Sequence, residues 1–270
     1  MANNAATALS GFAILAILLA AETASAKDAE ALAKESQNPV SDLVTVPIEA
    51  NFGFGGLDGS TQHVVNVSPV YPLRVHERWL LLNRAITPAL IHLPSSVTGA
   101  DSEIGLGDIS LTMWGSPQGL SEKYSWGLGP TLTVPSATDE TLGTGKWALG
   151  PSFVFLMQQG PWVAGFLIAN SWSVGGKSDR EDVNAGVLQP WLYYNFSNGA
   201  YVFTEPVITV NWKAEPGERW TVPLGIGAGK IFQIGNQYIN VQIAGFYNVE
   251  RPRGSPKWTI RPQIQFLFPK

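Results

Sequence analysis

Trp258-Thr-Ile-Arg-Pro-Gln-Ile-Gln-Phe-Leu267 decides how the rest of the chain is read. At period two it splits into Trp258, Ile260, Pro262, Ile264 and Phe266 on one side, and Thr259, Arg261, Gln263 and Gln265 on the other. Successive strand side chains point to opposite faces, so the pattern is a strand with one dry side and one polar side. Its length matches a tilted strand crossing a bilayer, about 9–11 residues. A soluble sheet packed on one face would give a similar pattern. The decision therefore rests on what the other segments repeat.

Working back, strand-like runs cover residues 43–54, 64–73, 79–90, 106–114, 124–134, 147–158, 162–174, 183–196, 201–212, 220–232 and 237–249, about twelve with the last. In residues 79–90 Arg84 shares parity with Leu82 and Ile86, which predicts a bulge. The links alternate in character. Residues 55–61, 92–105, 135–146, 175–182, 213–219 and 250–257 are long and polar. Residues 74–78, 159–161, 197–199 and 233–236 are short, and only 115–123 breaks the rule. Long loops on one side and short turns on the other are expected of an outer-membrane barrel with both termini on the periplasmic side. The fold expected is all-β: a transmembrane up-and-down antiparallel barrel of about 12 strands, whose last strand pairs with the first.

Composition agrees. The chain has 270 residues, no cysteine, 14% charged residues and a net charge of −4, spread too evenly to suggest nucleic acid. An apolar run at residues 11–21 precedes Ala24-Ser25-Ala26, which reads as an export signal spanning residues 1–26. Residues 27–42 then form a short periplasmic segment with a helix-prone start, a free helix or a flap near the barrel mouth, and residues 43–270 form the barrel. Beyond the signal, no apolar run approaches the roughly 20 residues of a membrane helix. A membrane-spanning form must then be a closed barrel, because only helices and barrels satisfy every backbone group in lipid. Trp147, Trp212, Trp220, Trp258 and Phe52 fall at the outer ends of the apolar faces, and Trp126 and Phe266 at the inner ends. Such girdles form where lipid meets headgroup.

A faint repeat conflicts with regular strands. Pro69, Pro88, Pro130, Pro151, Pro190, Pro206, Pro223 and Pro262 each stand third in a similar five-residue unit. Proline lacks a ladder donor and is unwelcome in a central strand. Bulges or local breaks are expected there.

Several segments carry a family resemblance: Gln37-Asn-Pro-Val-Ser-Asp-Leu-Val-Thr-Val-Pro47, Gly105-Leu-Gly-Asp-Ile109, Leu142-Gly-Thr-Gly-Lys-Trp-Ala-Leu-Gly-Pro151, Gln189-Pro190 with Tyr194-Asn195-Phe196, Trp220-Thr-Val-Pro-Leu-Gly225 with Gly229-Lys230, and Leu267-Phe-Pro-Lys270. In this order they resemble a bacterial outer-membrane family named for the meta-pathway of phenol degradation. Its members are often labelled "transporter" or, misleadingly, "neuromedin U". The resemblance implies a barrel that passes hydrophobic or aromatic compounds, and it carries no binding residues over. Phe268 is followed by Pro269-Lys270, whereas such barrels commonly finish on an aromatic residue.

Other chemistry was weighed on the same residues. Gly225–Lys230 lacks the spacing of a phosphate loop, with Leu224 and Ile231 at the required places. Alternate inward glycines, where the wall needs room, are the simpler reading. His63, His76 and His92 lack a serine at matching spacing, so no catalytic residue is expected, and no cofactor or metal. The candidate lumen-lining residues are Glu49, Asn51, Asp108, Asn170, Trp172, Glu205, Asn211, Gln242, Arg261, Gln263 and Gln265, with Asn66, Trp191, Tyr193 and Phe203 on the same parity. The function expected is passive passage of small, aromatic or hydrophobic solutes, not catalysis. The partners expected are outer-membrane lipid, the solute and the barrel assembly machinery. An occluded structural or partner-binding barrel is the alternative, and an outer-membrane lipid hydrolase stands third.

Overall fold

The computed structural model describes residues 26–99 and 101–269. The expected signal peptide, apart from Ala26, lies outside the described residues. One antiparallel sheet closes on itself as a twelve-strand barrel. Nine of the twelve staves are single strands: β1 (Val44–Phe54), β4 (Trp79–Leu93), β7 (Tyr124–Val134), β8 (Lys146–Gln159), β9 (Trp162–Gly176), β10 (Asn184–Asn195), β13 (Trp220–Ile234), β14 (Gln237–Glu250) and β15 (Trp258–Phe268). Three are interrupted: β2 (Gln62–Val67) with β3 (Val70–His76), β5 (Glu103–Gly105) with β6 (Ile109–Pro117), and β11 (Ala200–Thr204) with β12 (Ile208–Asn211). Closure is between the ends of the chain, with Val44 opposite Phe268, Glu49 opposite Gln263 and Phe54 opposite Trp258.

The wall is apolar outside. Ile260 and Ile264 of β15 are exposed, while Arg261 and Gln265 are buried inside. Ile226, Ile243, Leu128, Leu149 and Leu224 are similarly exposed on other staves. A contiguous apolar belt of this extent is stable only against lipid or a partner. Aromatic pairs edge it: Trp212 with Trp220 and Tyr247 with Trp258 at the long-loop end, Trp162 with Tyr194 at the short-turn end.

The core sits inside the barrel at the short-turn end. Helix α1 (Ala26–Ser36) turns Ala29, Leu32 and Ala33 inward against the wall, and the segment after it buries Val40 and Leu43. A Cβ placed on Gly199, a turn residue at φ +75°, would come within 2.7 Å of the Ala29 Cβ. Gln37 and Asn195 exchange two side-chain hydrogen bonds, of 2.8 and 3.0 Å, and Gln158 donates to the Lys34 carbonyl. The region expected as a periplasmic segment is therefore packed into the barrel mouth.

The prolines explain themselves in this frame. Between β1 and β15 the paired register skips Ala50 and Asn51, opposite Pro262 and Arg261. Pro69 and Pro206 lie in breaks between strand segments. Pro190 and Pro223 border the β11–β12 break on its two sides, and the register to β14 shifts at Pro223. Pro88 adjoins the shift between β2 and β4. Pro130 and Pro151 face each other, and each borders a gap in its other ladder. A residue without N–H leaves no orphan donor at such a gap.

One strand has the opposite orientation to the sequence expectation, and another has an inward face that the sequence left unassigned. Leu80 and Leu82 are fully buried inside, and Ile86 lines the lumen, so Arg84 shares an inward face. The bulge expected at Arg84 lies further along, where Asn66 faces Pro88 but Val65 faces Leu90. In β9, Leu167 and Ala169 line the lumen, which places Asn170 and Trp172 on the outward parity.

Candidate functional site

Inside the barrel, above the N-terminal segment, is a cavity of about 530 Å³. Ser36, Gln37, Asn38, Pro39, Ser41 and Leu43 form its floor. Its walls combine polar residues of β1, β14 and β15 with Val70, Ile86, Leu167, Val187, Trp191 and Phe246.

Four charged residues meet at its waist: Glu49, Arg84, Glu205 and Arg261. Glu205 sits where its stave is interrupted, on the inward parity of Tyr201 and Phe203. Its carboxylate accepts from Gln189 Nε2 at 2.6 Å and from the Tyr193 hydroxyl at 2.7 Å. Arg261 crosses two intervening staves to donate to the Glu205 carbonyl at 2.6 Å. Its guanidinium carbon lies 4.3 Å from the Phe246 ring centre, and its Nε is 3.8 Å from Glu49. Glu49 also accepts from Asn51 Nδ2 at 2.7 Å. A second network continues toward the floor: the Tyr201 hydroxyl bonds Asn240 and Gln242, and Asn240 donates to Gln265.

Small residues let rings lie against the wall beside the waist. Gly227 and Gly229 of β13 face in, and a Cβ on either would come within 2.4 Å of Phe203 or Tyr201 respectively. Phe203 stacks on Tyr193 at 5.1 Å. These are the inward glycines of the stretch that superficially resembled a phosphate loop.

Seven of the eleven candidate lumen residues border this cavity, Glu49, Asn51, Glu205, Gln242, Arg261, Gln263 and Gln265, as do Asn66, Trp191 and Tyr193 of the same parity. Asp108, Asn170, Trp172 and Asn211 lie outside its lining. Asp108 holds an outer loop, accepting from the amides of Ala137 and Thr144 and from the Thr144 hydroxyl. Asn170 accepts from the Trp212 indole at 2.8 Å and donates to Asn184. Trp172 is exposed on the outer surface, and Asn211 caps a loop through the Lys213 amide. Arg84, Gln189 and Asn240 are among the lumen residues that the sequence pattern did not reveal. The one signal for Arg84 was its position as a lone charge in an apolar run.

These features define a closed barrel of the outer-membrane type, apolar without and polar at its waist. Among solved structures the chain is similar to an outer-membrane channel from Pseudomonas putida F1. The TM-score is 0.60 at 14% identity, with 84% of this chain and 96% of that chain covered. It is also similar to the P. putida toluene transporter TodX, at 11% identity over 87% of this chain and 90% of that chain. That TM-score is 0.41, too low to carry an argument. At such identities the likeness bears on the fold alone. No protein-family model and no curated protein matches the sequence.

Proposed function

We propose that this chain is an outer-membrane channel through which small hydrophobic or aromatic compounds diffuse passively. The observation that carries the reading is the lumen cavity of about 530 Å³, whose wall sets aliphatic and aromatic surface from Val70, Ile86, Leu167, Val187, Trp191 and Phe246 among a majority of polar side chains. That size is within the range of small-molecule sites, roughly 300–1,000 Å³. The sequence resemblance to the family named for the meta-pathway of phenol degradation supports the same solute class. On this reading residues 1–26 are removed on export, and the barrel assembly machinery inserts the chain among outer-membrane lipids. Liposomes bearing the purified barrel should take up benzene or toluene faster than protein-free liposomes. Equal rates for both, across neutral and charged aromatic solutes, would remove the proposal.

A second reading, an occluded barrel, is favoured by the floor that residues 36–43 make. The two readings separate on removal of residues 26–38. A channel gains conductance in planar bilayers when its plug is lost, whereas a barrel closed by its own wall does not.

A further inference from the structure

Three of the four charges at the waist are engaged. Glu205 is held by Gln189 and Tyr193, Glu49 by Asn51, and Arg261 by the Glu205 carbonyl, the Phe246 ring and the nearby Glu49. Arg84 differs. Its side chain lines the cavity and feels the Glu205 and Glu49 carboxylates through space, but among the described residues no hydrogen bond or close ion pair engages its guanidinium. A guanidinium that faces a cavity with no acceptor in hydrogen-bond reach keeps its N–H donors available to a solute. The planar fork of arginine presents five N–H donors and fits a carboxylate by two parallel bonds. Around Arg84 the wall is apolar on one flank and hydroxylic on the other, where Thr112 of β6 stands directly opposite it. Val70 is its cross-strand neighbour, and Ile86 is the next inward residue on β4. Leu167, Val187 and Trp191 line the same cavity.

We propose that Arg84 is a binding residue for the carboxylate of a small aromatic or aliphatic acid, whose apolar body lies against this wall. The inference rests on the channel reading above and narrows its solute class from neutral hydrocarbons to hydrophobic monocarboxylates. Glu49 and Glu205 lie in the same cavity and oppose an anion. Their oxygens are already committed to the donors named, and Arg261 offsets one of the two charges. Arg84 offsets the other, so the waist is neutral overall and Arg84 contributes the free N–H donors that a carboxylate would take.

The test is binding first and flux second. The detergent-solubilised barrel is titrated with benzoate and with benzamide, its neutral counterpart of nearly equal shape. Benzoate should bind at least about tenfold more tightly, the scale of a charge-assisted bond to a desolvated guanidinium. In Arg84→Gln that preference should vanish, and in Arg84→Lys it should persist in reduced form. Heat-modified electrophoretic migration reports whether each variant has folded, and Arg84→Lys serves if Arg84→Gln does not. Equal binding of benzoate and benzamide by the unaltered barrel overturns the proposal. So does an unchanged preference in Arg84→Gln, or complete loss of preference in a folded Arg84→Lys. If benzoate binds as expected but no solute crosses liposomes, the channel reading fails while the site stands. If neutral aromatics cross and benzoate does not bind, the reverse holds.

Discussion

At the scale of single residues, the waist is held by Arg261 more than by any other side chain. It links the closing strand to an interrupted stave three places away and lies beside Glu49 on the first strand. Removing one partner of a buried charge pair costs roughly 3–5 kcal/mol. Glu49 remains open to the cavity, so a discounted loss of about 2 kcal/mol is expected for Arg261→Leu. Glu49→Gln should cost less, because Asn51 can still donate to the amide oxygen. Urea unfolding of the barrel in lipid vesicles, run as a double-mutant cycle, should give a coupling of about 0.5–1.5 kcal/mol. Additive losses would mean that the 3.8 Å approach contributes nothing. The Arg261–Glu49 neighbourhood was legible in the sequence because it follows from closure of the last strand on the first. The Glu205 contact was not, because it depends on a strand break that local pattern does not report.

At the scale of elements, legibility followed how unequal the two faces of a strand are. In β15 one face carries Arg261, Gln263 and Gln265, so its orientation follows from the sequence. In β4 and β9 both faces are largely apolar. Leu80 and Leu82 point inward to a dry core at the short-turn end, with Trp114 and Val154. Trp162, Phe166 and Ile168 of β9 point outward. Period two then gives the strand without its orientation. The dry core exists because the N-terminal helix enters the mouth, and a helix-prone segment alone does not say where it docks. Its docking is testable. Leu32→Glu places a charge in the buried face and should release the helix, raising its proteolytic sensitivity while the barrel stays folded. Burial, and to a lesser degree the nearby Asp42, raise the Glu35 carboxyl above its ordinary value. The docked state therefore holds that proton more tightly than the undocked one. The contribution is fully present below the undocked value and is lost as pH rises through the docked one. Proteolytic cleavage within α1 should thus quicken as pH rises through and just above the ordinary glutamate range. In Glu35→Gln the dependence should flatten, and an unchanged profile there would assign the titration elsewhere.

At the scale of the whole molecule, the waist sums to zero charge: Glu49 and Glu205 against Arg84 and Arg261. A neutral constriction in a low-dielectric wall should discriminate weakly between small cations and anions, while each charge inside it is felt strongly. Removing one sign exposes that balance. Glu49→Gln leaves the waist with one net positive charge. At a separation of several ångströms and an intermediate dielectric, that charge favours an anion by about 1.4 kcal/mol, or about tenfold. In a planar bilayer under a potassium chloride gradient, the plug-deleted barrel should show a reversal potential near zero. The same barrel carrying Glu49→Gln should shift toward the chloride potential. A loop-controlled selectivity predicts otherwise. Charges such as Lys177 and Glu140 pair on the outer rim at 2.6 Å, exposed to solvent, and salt screens them. If the loops set selectivity, the Glu49→Gln shift would be absent and the reversal potential would instead follow Lys177→Ala. If the waist sets it, the shift persists at ionic strengths that silence the rim, because ions passing the constriction meet the Glu49 position within a Debye length at any physiological salt.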